Sequence, residues 1–179
     1  MNAWKRWKGL LAVLPLLLAG CGTVPVETYR DERPAMDLRH YFDGTVDAWG
    51  LFQDRGGRVV KRFYVRIDAH WKGDTGILDE HFEYSDGTRS RRVWTITHLG
   101  GNRYRGTADD VVGEARGEVY GNALRWQYVL RLEVDGRTWE VDFDDWMYMV
   151  DDQVMLNRSV MSKFGIRLGE VILSFRKRT

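Results

Sequence analysis

Few side chains in this sequence are spaced so that they could do chemistry together. Asp144 and Asp145 are adjacent, as are Asp109 and Asp110. Two carboxylates can divide acid and base roles only if both reach one substrate. Neighbours in a strand point to opposite faces, so Asp144 and Asp145 cannot form such a dyad, and Asp145 alone is left as a candidate acid or base. Asp109 and Asp110 precede Val111-Val112-Gly113, a turn signal where aspartate commonly caps the backbone. Ser174 to Lys177 has Ser-x-x-Lys spacing without its companion motifs, and the chain holds no Gly-x-Ser-x-Gly. Asp79, His81 and Glu83 share one face of a strand, and donors of those types can hold a divalent metal. No two of His40, His70, His81 and His98 have ligand spacing, however, and a solvent-facing strand with Arg92 opposite His81 accounts for the trio. The expectation is a non-enzyme with no catalytic residues, no metal and no cofactor.

The elements that must position any site are strands. Phe63, Val65, Ile67, Ala69 and Trp71 alternate with Arg62, Tyr64, Arg66, Asp68 and His70. Leu124, Trp126, Tyr128, Leu130, Leu132 and Val134 alternate in the same way, and no stretch shows a helical stripe. Glycine-containing turn signals recur at short intervals, and proline is absent after Pro34. Ten strands follow, near 45–53, 58–71, 76–85, 89–99, 102–109, 113–120, 122–134, 138–150, 153–163 and 167–176. Short turns make neighbours antiparallel, and closure removes exposed edges. The fold predicted is an all-β, up-and-down antiparallel barrel with room for side chains and one small ligand; a two-sheet sandwich is the alternative.

Turn geometry sharpens this near the C-terminus. Two-residue turns at Asp135-Gly136, Asp151-Asp152 and Phe164-Gly165 place Trp126 opposite Asp145, Asp145 opposite Arg158, and Arg158 opposite Val171. Apolar residues then meet as Tyr128 with Phe143, Phe143 with Val160, Met147 with Leu156, and Leu156 with Leu173. The expected ligand-binding residues are Asp145, Arg158 and Trp126, with Asp145 and Arg158 a buried ion pair. In one reading the pair fixes register. In the other, Arg158 also meets an anionic head group.

Composition sets the context. The 179 residues are 44% hydrophobic and 30% charged, with formal net charge +1, which is one domain with a substantial core and no basic stripe for nucleic acid. The lone cysteine, Cys21, excludes an intramolecular disulfide. Lys5, Arg6 and Lys8 precede an apolar run, Leu10 to Leu18, too short to span a bilayer, and Leu18-Ala19-Gly20-Cys21 resembles a lipoprotein processing site. That resemblance implies cleavage before a lipidated Cys21, leaving 159 residues with 24 basic and 26 acidic side chains, net −2. Acyl chains would then be the membrane contact. Gly22 stands where inner-membrane retention uses Asp, which implies outer-membrane localisation facing the periplasm. Residues 1–20 read as signal peptide, 21–36 as lipidated Cys and tether, and 37–179 as one barrel domain.

Asp144-Asp145-Trp146-Met147-Tyr148 and the run Asn157 to Gly165 resemble the bacterial lipoproteins grouped as domain of unknown function 3833. Asp109 to Gly113, Gly121-Asn122-Ala123 and Tyr41-Phe42-Asp43-Gly44 fit the same pattern. The resemblance implies a secreted, lipid-anchored, calycin-like domain, although Ala48-Trp49-Gly50 stands where lipocalins proper carry Gly-x-Trp. Two functions are expected: binding of a small apolar or acyl ligand, or a ligand-free accessory role as a partner of an envelope lipid-modification or assembly system. Cavity volume discriminates them.

Overall fold

The computed structural model describes residues 24–134 and 136–178, and in it ten antiparallel strands close into a single up-and-down barrel. They are β1 (Gly44–Asp54), β2 (Val59–Lys72), β3 (Thr75–Tyr84), β4 (Arg89–His98), β5 (Arg103–Thr107), β6 (Ala115–Tyr120), β7 (Ala123–Val134), β8 (Arg137–Met149), β9 (Val154–Lys163) and β10 (Ile166–Lys177). Each pairs with its neighbours in sequence, and β1 pairs with β10 to close the barrel, so the ladder has no free edge. The sandwich alternative is thereby excluded. The alternating residues of β2 and β7 point as the sequence requires: Val65, Ile67, Leu124, Trp126 and Leu130 are buried in one continuous core.

One end of the barrel is plugged. The chain enters through a single helical turn, α1 (Leu38–Tyr41), whose Asp37 cap accepts from the Arg39 backbone N–H at 2.9 Å. Leu38, Tyr41 and Phe42 are buried there, with Phe42 packed edge-on against Phe175 and its carbonyl bonded by Trp71 Nε1 at 3.0 Å. Residues 24–36, the described part of the expected tether, are docked on the barrel's outside. Tyr29 packs on Trp146 and Tyr148, and Met36 N–H bonds the Gly121 carbonyl at 2.8 Å. Cys21 and the signal segment lie outside the described residues.

The opposite end is the mouth, formed by the β1–β2, β3–β4, β7–β8 and β9–β10 hairpins. Several of its hairpins carry exposed apolar residues: Val59, Val60, Val134 and Ile166, and above all Phe164, which is 88% exposed in a turn of positive φ. Because β5 and β6 are short, the wall between β4 and β7 is completed on this side by the loop 108–114. It is fastened to β7 by a bridge between Val111 and Leu130.

Candidate functional site

Three hairpin registers decide which polar side chains enter the barrel. Across β7–β8 the expected turn forms: Val134 pairs with Arg137, Tyr128 with Phe143, and Trp126 with Asp145. Across β8–β9 it does not. The Asp151 carboxylate accepts the backbone N–H groups of Gln153 and Val154, each at 2.8 Å, which opens a four-residue connection between Met149 and Val154. The register moves by one residue, so Asp145 faces Ser159, and Arg158 faces Trp146. Phe143 accordingly meets Met161 and Met147 meets Asn157, in place of the Val160 and Leu156 expected. A bulge between Arg167 and Gly169 then places Arg158 opposite Ile172 and Leu173 opposite Asn157.

Arg158 is therefore outside the barrel. Its guanidinium bonds Glu170 at 2.8–2.9 Å, with Arg167 on the same carboxylate at 3.1 Å. The buried Asp145–Arg158 pair does not exist, and Arg158 is no ligand-binding residue of the interior. A similar one-residue shift sits between β3 and β4. The β3–β4 loop spans three residues closed by Tyr84 and Thr88, so Arg92 lies opposite Glu80 rather than His81, which meets Arg91. Asp79 and His81 are outward as expected, and Asp79 is held in a two-pronged bond by Arg91 at 2.7 and 2.8 Å. Among the described residues no group of His, Cys, Asp and Glu is arranged to hold a metal.

The interior centres on Trp126, Asp145 and Tyr128, all expected on the inward face, and on Glu80, Arg92, Asn157 and Ser159, which the sequence pattern does not single out. Trp126 has its seat because Gly106 and Gly117 carry no Cβ. A methyl at either position would stand 2.5 or 2.2 Å from the indole ring. Tyr128 stacks on Phe143 and meets Trp94 edge-on, with centroids 5.0 and 5.4 Å apart. Asp145, 6% exposed, accepts from the Ser159 hydroxyl and from Tyr128 Oη at 3.3 Å. Burial pushes its carboxyl up to about 7, against the pull of those two donors. Glu80 is likewise pushed up to about 7 by burial, which the nearby Arg92 charge only partly offsets. The Tyr128 phenol is raised well above its ordinary range, also by burial.

Arg92 turns toward the wall. Its Nε and Nη2 grip the Asp110 carboxylate at 2.7–3.1 Å, while Nη1 stands 3.9 Å from Glu80. Burial disfavours its charge, yet Glu80 and Asp110 together keep the guanidinium firmly protonated. Around these groups lies a cavity of about 310 Å³, running from Leu38 and Phe42 at the plug to Lys61, Tyr84 and Leu132 at the mouth. The signal for Glu80 was present in the sequence: once Asp79, His81 and Glu83 are outward, Glu80 must be inward.

The profile of a protein family of unknown function, DUF3833, matches residues 15–177. The chain belongs to this family. The fold of this DUF3833 domain, a closed ten-stranded barrel, is similar to that of the S-type phycobiliprotein lyase CPES from Guillardia theta. The TM-score is 0.54 at 7% identity, over 80% of this chain and 94% of that one. It is also similar to a de novo designed fluorescence-activating β-barrel (TM-score 0.45, 13% identity, 80% of this chain and 99% of that one). A third similar structure is the ywiB protein from Bacillus subtilis (TM-score 0.38, 14% identity, 75% and 91% covered). No curated protein matches the sequence.

Proposed function

We propose that this DUF3833 protein is a lipid-anchored lipoprotein of the outer membrane, facing the periplasm, whose barrel binds a small apolar or acyl ligand. The observation that carries the reading is the cavity. Its volume of about 310 Å³ lies within the range of small-molecule sites, and aromatic and aliphatic side chains dominate its lining. Interior space forgoes the packing that a filled core would gain, which a bound ligand would restore. Acylation of Cys21 supplies the membrane contact. Three residues reach at most about 11 Å from Cys21 to Val24, so the anchor holds the domain near its docked N-terminal segment. That segment is bonded to Gly121 at the plugged end.

Native mass spectrometry of protein released from its own envelope tests the binding. A co-purifying small molecule, and displacement of an apolar fluorescent probe by acyl compounds, are expected. Absence of both ligand and probe binding would overturn the reading. Replacing Cys21 with Ser should abolish processing and membrane retention; an identical outer-membrane form of the variant would remove the anchor.

The apolar mouth favours a second reading, an accessory role in which the hairpin tips dock on a protein of an envelope lipid-modification or assembly system. Phe164, almost fully exposed, is the residue to replace with a photo-crosslinking amino acid. A single recurrent partner crosslinked from that position is the expected result, and no adduct after irradiation in the native envelope would count against docking there.

A further inference from the structure

We propose that the ligand's polar end is an organic ammonium, held by the Glu80 and Asp145 carboxyls among the rings of Trp94, Trp126 and Tyr128. This rests on the ligand-binding reading of the barrel and names the class of guest.

The charges of the lining carry the inference. Four charged side chains face the cavity: Lys61, Glu80, Arg92 and Asp145. Both cations are already matched by carboxylates that do not line it. Arg92 is forked on Asp110, and Lys61 sits 2.8 Å from Asp86 at the mouth. The two carboxyls have no such match. Among the described residues, Asp145 is met by the neutral hydroxyls of Ser159 and Tyr128 alone. Glu80 accepts no hydrogen bond from any described residue, its nearest cation being Arg92 Nη1 at 3.9 Å, and the 14% of its side chain that stays accessible faces the cavity. Among the described residues, the interior therefore carries carboxyls that no cation fully matches and presents no free cation to an anion.

The aromatic residues select further among donors. Trp94 lies edge-on to both Trp126 and Tyr128, with centroids 5.8 and 5.4 Å apart, and Trp126 is the cross-strand partner of Asp145. Ring faces beside a carboxylate are the chemistry that recognises desolvated ammonium groups. A carboxylate or phosphate head would meet two carboxyls among three aromatic side chains.

Displacement of a neutral fluorescent probe from the full-length protein tests this, with dodecylamine, dodecanol and laurate as competitors of equal chain length. Dodecylamine is expected to displace at a concentration at least about tenfold lower than either. Its advantage should grow from pH 6 to pH 8 as Glu80 and Asp145 ionise, while Arg92 and Tyr128 hold their protons; Lys61 and Asp110 are the other charged groups around them. Glu80→Gln should erase most of that advantage, read as the ratio of dodecylamine to dodecanol within the same variant, with circular dichroism confirming the fold. Where that variant does not fold, Asp145→Asn takes its place, and the three-way comparison in the unaltered protein needs neither. Laurate or dodecanol binding as tightly as dodecylamine would overturn the ammonium head while leaving the cavity a ligand site. Failure of the probe itself to bind would overturn the ligand-binding reading.

Discussion

Replacing Glu80 with Gln should make the protein more stable at pH 8 and change it by under about 1 kcal/mol at pH 5. The buried carboxyl titrates near 7 in the folded chain against an ordinary 4.5, a difference worth about 3 kcal/mol. A carboxyl whose folded value is raised binds its proton more tightly folded than unfolded. That contribution is complete below about pH 4.5 and is lost as pH rises through 7. Above 7 the folded protein holds an ionised Glu80 whose burial the Arg92 charge, 3.9 Å away, does not repay. Gln keeps the shape and removes the charge. Urea denaturation of both proteins at half-unit steps from pH 5 to pH 8 should give two curves that separate with rising pH, the gap approaching about 3 kcal/mol. Carboxylates held low by arginines, such as Asp37 and Asp47, change stability in the opposite direction at acid pH, but equally in both proteins. A gap that does not depend on pH, or a variant weaker than the parent at pH 8, would refute the reasoning.

Arg92→Met should destabilise the protein by about 3–5 kcal/mol at pH 8 in the same assay, because Glu80 and Asp110 lose the cation between them, and by less at pH 5, where Glu80 takes up a proton. Arg158→Ala, by contrast, removes an exposed pair with Glu170; urea midpoints should register under about 1 kcal/mol, and probe affinity should not move. Gly117→Ala drives a methyl into the Trp126 ring and should cost about 1–3 kcal/mol, with a shift in tryptophan emission reporting the displaced indole.

The barrel was legible because its signals are redundant. Ten alternating runs, each closed by a turn residue, leave little freedom in strand number, and the observed boundaries fall within about two residues of those read from the pattern. Half of the site was legible for the same reason. Gly136 closes a short hairpin that faithfully transmits register from Trp126 to Asp145. The other half turned on two loop lengths that hydrophobicity does not encode. As one of two turn residues Asp151 would preserve the register, but its carboxylate captures two backbone N–H groups and enlarges the loop. Nothing in the apolar pattern of β9 could have exposed the error, because that strand is inverted where the site lies. Its inward residues include Asn157 and Ser159, both buried, while Leu156 points outward at 47% exposure. A reading that turns apolar residues inward prefers the wrong face of such a strand and carries Arg158 in with it. The inversion has a physical cause. Asp145 cannot be buried without a donor, and Ser159, directly across the ladder, is that donor. The strand that breaks the hydrophobic rule is the one that faces the buried acid. The misread register and the candidate site therefore have a single origin.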